Sequence, residues 1–114
     1  MEIKTDTYQI TYNNTKHIIC FQGSLRLNGT NEYSSISELL NRVAEIEPEK
    51  IILDIKELKF LNSSGINMLS KFVIHVRKRQ NIQMSIVGVK EIPWQSKSLK
   101  NLQRLMPSLV LDLR

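Results

Sequence analysis

Ile51-Ile52-Leu53-Asp54-Ile55, then Phe60-Leu61-Asn62-Ser63-Ser64-Gly65, then Ile66 through Gln80: the reading of this stretch decides the fold. An unbroken β-branched apolar run bounded by charge predicts a central strand covered on both faces. Asp54 marks its exit. Beyond a short loop, Ile66, Leu69, Phe72, Val73 and Val76 recur at helical spacing, so one stripe faces a core while Lys71, Lys78 and Arg79 face water. Asn62, Ser63 and Ser64 carry oxygens that can accept from the free N–H groups of a first turn, and Gly65 leaves room for close backbone approach. Any of the three can be the N-cap. The function is expected at this strand-to-helix turn.

Toward the N-terminus, Tyr8-Gln9-Ile10-Thr11-Tyr12 alternates at period two, and Asn13-Asn14 is a turn signal before His17-Ile18-Ile19-Cys20-Phe21. This is a β-hairpin. Gly23-Ser24-Leu25-Arg26-Leu27 continues or follows the second strand. Ile36, Leu39, Leu40, Val43 and Ile46 form an apolar stripe behind a Ser35-x-x-Glu38 capping box, which predicts a helix from Ser34 to Glu47, ended by Pro48. Toward the C-terminus, Met84 to Val89 reads as a strand and Ile92-Pro93-Trp94 as a loop. Leu99, Leu102, Leu105 and Met106 define a helix from Ser96 to Met106, and Leu109 to Leu113 forms a short terminal strand.

The order is ββαβαβα with a small terminal strand. Crossover helices make the Ile51 and Met84 strands parallel, while the opening hairpin is antiparallel. The expected fold is α/β, a mixed sheet with helices packed against it. At 114 residues the chain is expected to form one domain, residues 1–114.

Hydrophobic content of 41% argues against disorder. The lone Cys20 cannot form an internal disulfide and is expected to be buried and inert. The N-terminus has no apolar leader and no run approaches a membrane span, so a cytoplasmic protein without membrane contact is expected. A net charge of +5 favours an acidic partner of some kind. The cluster Arg77-Lys78-Arg79 complements the dipole at a helix C-terminus. With Lys100 it is also the best candidate for a nucleic-acid surface, although no recognition pattern accompanies it.

Enzymatic signals are thin. His17 lies in a predicted strand and His75 off the apolar stripe of its helix, and nothing in the sequence sets either beside Ser63 or Ser64. The glycines are isolated, so no phosphate-binding loop exists, and metal-ligand spacing is absent. No catalytic residue, cofactor or metal is expected. The serine pair has two readings: capping, or a regulatory phosphosite, where the helix N-terminus offers a phosphate free donors and a favourable dipole.

Leu53-Asp54-Ile55, Leu58, Phe60-Leu61 and Asn62-Ser63-Ser64-Gly65-Ile66, followed by the amphipathic helix, resemble the signature of STAS domains, the family of bacterial anti-sigma-factor antagonists. The likeness extends over essentially the whole chain, especially to small free-standing STAS regulators. It implies a non-enzymatic protein that, unphosphorylated, binds an anti-sigma factor that is also a serine kinase. Phosphorylation breaks that complex and a PP2C-type phosphatase restores it. Carried over, the phosphorylated residue is Ser63, with Ser64 the second choice, and the partner-binding residues are Asn62, Ser63, Ser64, Gly65 and Arg26. The wider family also includes ligand-binding sensors. Two positions depart from its pattern: Asn62 stands where an Asp is usual, and Gly23-Ser24-Leu25-Arg26 replaces Gly-x-Leu-Asp. Both remove negative charge near the expected site. The chain is thus either a phosphoswitch for a different kinase or an interaction module without a switch.

Overall fold

A computed structural model describes residues 1–114. The elements are β1 (Glu2–Lys4), β2 (Tyr8–Asn13), β3 (Ile18–Leu25), α1 (Gly29–Glu32), α2 (Ser34–Glu45), β4 (Lys50–Leu61), α3 (Ser63–Arg79), β5 (Gln83–Gly88), α4 (Pro93–Leu105) and β6 (Val110–Leu113). The six strands form one sheet in chain order, β1-β2-β3-β4-β5-β6. The pairs β1–β2 and β2–β3 are antiparallel, and β3–β4, β4–β5 and β5–β6 are parallel. The mixed α/β fold read from the sequence is the one found.

Parallel strands added always on the same side, through right-handed crossovers, set their helices on one face of the sheet. Coverage of the central strand on both faces is therefore corrected. In β4, Ile51, Leu53 and Ile55 are fully buried, whereas Ile52, Asp54 and Lys56, pointing the other way, are only half-buried. Ile52 is apolar yet lies on the uncovered face, in register with Ile18 on one side and Ser85 on the other. Cys20 belongs to this face too, and is half-buried, not buried as expected. Its thiol is pushed up first by burial and then by the nearby Asp54 carboxylate, so it stays protonated at neutral pH.

Several boundaries also change. The strand β4 does not exit at Asp54 but runs on to Leu61, so the short loop expected before Asn62 is strand, and the short β1 and α1 were not expected. The helix α2 runs only to Glu45, and no side chain caps its start, because α1 already leads into it through Tyr33. The Ser35–Glu38 box does not form. His17 is not in a strand: it sits in a left-handed turn conformation with φ 56°, its Nδ1 2.7 Å from the Tyr12 hydroxyl. The helix α4 starts at Pro93, which occupies the first turn where a missing N–H is tolerated. The loop expected at Ile92-Pro93-Trp94 is thus largely helical.

That earlier start places Gln95 inside the fold, fully buried. The strand β4 slips against β3: Cys20 pairs with Asp54 but Gln22 with Glu57, and Gly23 with Leu58 but Ser24 with Phe60. Its pairing with β5 ends at Asp54–Val87. The carbonyls beyond that point need other donors. Gln95 Nε2 donates to Ile55 O at 2.8 Å and Leu58 O at 3.1 Å, and Trp94 Nε1 donates to Leu58 O at 3.0 Å. The amide's other end accepts from Val89 N at 2.8 Å. Gly88 leaves the room this requires, since a Cβ there would collide with Gln95 Oε1.

Gln95→Leu should keep the volume but orphan these groups, costing about 1–3 kcal/mol. Urea unfolding followed by the fluorescence of the single tryptophan reads this directly; an unchanged midpoint would remove Gln95 from its role.

Candidate functional site

The strands β3 and β4 end together, Leu25 opposite Leu61, and Asn62 N donates to Leu25 O at 3.2 Å. The chain must turn here into α3, whose first N–H groups have no intrahelical acceptors. Asn62 is the N-cap. Its extended backbone, φ −82° and ψ 178°, brings Oδ1 within 3.0 Å of Gly65 N. The same Oδ1 accepts from the Tyr33 hydroxyl at 2.7 Å, and Nδ2 donates to Leu27 O at 2.7 Å. One amide thereby ties the start of α3, the junction of α1 and α2, and the loop after β3. A carboxylate at this position could not donate to Leu27 O, so the Asn at residue 62 suits its surroundings.

Tyr33 is 1% exposed. Burial raises its phenol above the ordinary value, so it remains a donor at neutral pH. Gly65 is buried against it: a Cβ there would lie 2.7 Å from the Tyr33 hydroxyl and collide with Leu61 Cδ1. The glycine is a packing requirement at the helix start.

The two serines differ. Ser63, the first residue of α3, is exposed and its hydroxyl makes no hydrogen bond within the chain. Ser64 is half-buried, and its Oγ accepts from Gly29 N at 3.3 Å. No acidic residue lies in the first turn of α3. Arg26 follows Leu25 at the same sheet edge, exposed, its guanidinium carbon 4.4 Å over the centre of the Phe60 ring. It forms no ion pair. The structure thus gathers Asn62, Ser63, Ser64 and Gly65 at one turn and sets Arg26 beside that turn, stacked on an aromatic ring and not bonded to either serine.

His17 and His75 do not join this group. His75 lies about three turns along α3 from Ser64, and no three His, Cys, Asp or Glu side chains cluster as metal ligands would. The basic cluster is largely engaged within the chain. Arg77 Nη1 donates to Leu105 O at 2.9 Å, and Arg79 Nη1 meets Glu47 Oε1 at 2.9 Å. The Glu47 carboxyl is held below its usual range, first by the Asn81 amide and then by Arg79. Of the candidates for a nucleic-acid surface, Arg77, Lys78 and Lys100 are exposed, and of these Lys78 and Lys100 make no side-chain bond within the chain.

Sequence reasoning missed Tyr33, Leu27, Gly29 and Phe60 as parts of the site. Only Phe60 left a trace, an apolar residue off the buried alternation of β4.

The STAS domain profile matches residues 9–110. Among curated proteins, none matches by sequence. Solved structures from Pseudomonas aeruginosa match by fold. A chain in the complex of the diguanylate cyclase SiaD with its activator SiaC has a TM-score of 0.73 at 11% identity, covering 100% of this chain and 99% of that one. The structure described as SiaC gives 0.71 at 13% identity, covering 98% and 93%. That of apo-SiaC gives 0.72 at 10%, covering 100% and 98%. No helix is long and apolar enough to cross a membrane.

Asn62→Ala should strand the buried Tyr33 hydroxyl and Leu27 carbonyl and cost on the order of 2–3 kcal/mol, whereas Tyr33→Phe should cost about 1 kcal/mol. Gly65→Ala should cost about 1–3 kcal/mol by overpacking. Denaturant midpoints check all three, and an Asn62→Ala as mild as Tyr33→Phe would deny the amide its wider role.

Proposed function

The chain belongs to the STAS domain family, and from that premise we propose that it is a non-enzymatic regulator that binds a partner protein through the surface around the start of α3, switched by phosphorylation of Ser63. The observation that carries this reading is the difference between the two serines. Ser63 is exposed with a free hydroxyl, whereas Ser64 is half-buried and bonded to Gly29.

A phosphate on Ser63 would sit at a helix N-terminus, where the N–H groups of the first turn and the macrodipole stabilise its charge. The fold would not be disturbed, because the capping bonds belong to Asn62. What changes is the surface: about two negative charges appear on a patch whose nearest helical turn holds no acid. A partner fitted to the neutral patch would meet repulsion and the loss of a desolvated contact. Arg26 and Phe60, an exposed guanidinium on an exposed ring, are side-chain types that anchor protein interfaces.

The family resemblance points to a partner that is both anti-sigma factor and serine kinase, with a PP2C-type phosphatase reversing the modification. The fold neighbour SiaC is named as the activator of a diguanylate cyclase, so enzymes of other classes are also candidate partners. The absence of a membrane-spanning helix is compatible with action in the cytoplasm.

Mass spectrometry of the protein isolated from its own cells with phosphatases inhibited should find phosphate on the Ser63 peptide. Ser63→Asp should then release the proteins retained by the unmodified chain, while Ser63→Ala keeps them. Equal retention by both variants would reduce the protein to an interaction module without a switch.

A further inference from the structure

We propose that the groove between α2 and α3 receives an acidic segment of the partner protein, anchored on Lys71. The inference rests on the reading of the chain as a partner-binding regulator and names the chemistry of what it binds. Two open cavities of about 320 and 330 Å³ share Thr30, Ser37, Met68 and Lys71, so they form one channel. It begins beside Ser64, at the turn already described, and ends at His75.

Its chemistry is one-sided. Lys71 is the only formally charged residue in the walls of either cavity, and no acid lines them. The acids of α2 lie elsewhere: Glu38 faces a separate depression against β1. Lys71 is exposed and has no ion-pair partner. Around it, Thr30, Ser37, Asn41 and Asn67 present hydroxyl and amide groups that make no side-chain hydrogen bond within the chain. His75 lines the far end, its Nε2 buried without a partner and not presented to the groove. Unsatisfied buried polar atoms are uncommon in folded chains. Neutral donors surrounding a lone unpaired cation, on a chain of net charge +5, complement carboxylates on a peptide.

The floor of the groove is the edge of Met68, with the core side chains of Leu40 and Phe72 packed beneath it, so recognition there rests on the polar walls and Lys71.

Selection of random 12-residue peptides displayed on phage against the unmodified chain tests this. The expected result is enrichment of Asp and Glu, with a synthetic copy of the selected peptide shifting the backbone amides of Ser37, Asn41, Asn67, Lys71 and His75. Lys71→Glu should weaken that peptide at least tenfold, and Lys78→Glu, on the same helix outside the groove, should change it less than twofold. Enrichment without acidic residues, amide shifts elsewhere on the surface, or equal weakening by both substitutions overturns the proposal. So does a single-stranded oligonucleotide that shifts the groove amides when no selected peptide does. Because selection uses the unphosphorylated chain, its failure leaves a Ser63 phosphate standing, and the absence of that phosphate leaves the groove result standing.

Discussion

The side chain of Asn62 is the constraint on which the β3–β4 end of this molecule depends. A parallel strand pair that stops abruptly leaves a turn whose backbone groups are no longer in a ladder, and a helix beginning there adds further unpaired donors. Asn62 meets both needs with one amide, accepting from Gly65 N and the Tyr33 hydroxyl while donating to Leu27 O. An amide is required because one side of the site offers donors and the other an acceptor. With the cap supplied by its neighbour, Ser63 is left with a hydroxyl that holds nothing in the fold together.

The topology determines where that free hydroxyl lies. Sheet order follows chain order, so every crossover helix falls on one face and successive helices pack side by side. The parallel strands β3 and β4 point the same way, and the residues following Leu25 and Leu61 meet at one edge. Arg26 and Ser63 lie at the same sheet edge for that reason, although their segments are far apart in the chain. The same packing brings α2 beside α3 and creates the groove that runs from Ser64 toward His75.

Charge is divided between structural and free groups. Arg77 and Arg79 close α3 against the Leu105 carbonyl and Glu47, which leaves much less of the basic cluster for an external anion than its composition suggests. Arg26, at the sheet edge beside the α3 start, and Lys71, about two turns along α3, are free of ion pairs. A positive formal charge therefore does not mark one surface; its value depends on which cations the fold already uses.

The longer elements were legible. Apolar residues at period two in Tyr8–Tyr12 and at helical spacing in Ile66–Val76 report strand and helix because each pattern is complete within a few consecutive residues. The helix start at Asn62-Ser63-Ser64-Gly65 was likewise visible, since capping chemistry is local. Within it, the choice of Asn62 as cap was not, because that depends on Tyr33, 29 residues away. Nor did the sequence disclose that Gln95 would be buried, since its need arises from carbonyls of β4 that lie 40 and 37 residues away. The uncovered face of the sheet was hidden for a related reason: Ile52 is as apolar as Ile51, and only the handedness of the crossovers decides which of them a helix covers. What the sequence by itself determined was the longer strands and helices and the helix start at Asn62, through spacing within each segment; the short β1 and α1 carry too few residues for a pattern. Which polar groups meet across segments, and which serine stays free, was decided by the tertiary structure, because hydrogen-bond partners distant in the chain exist only once the strands have registered and the helices have packed.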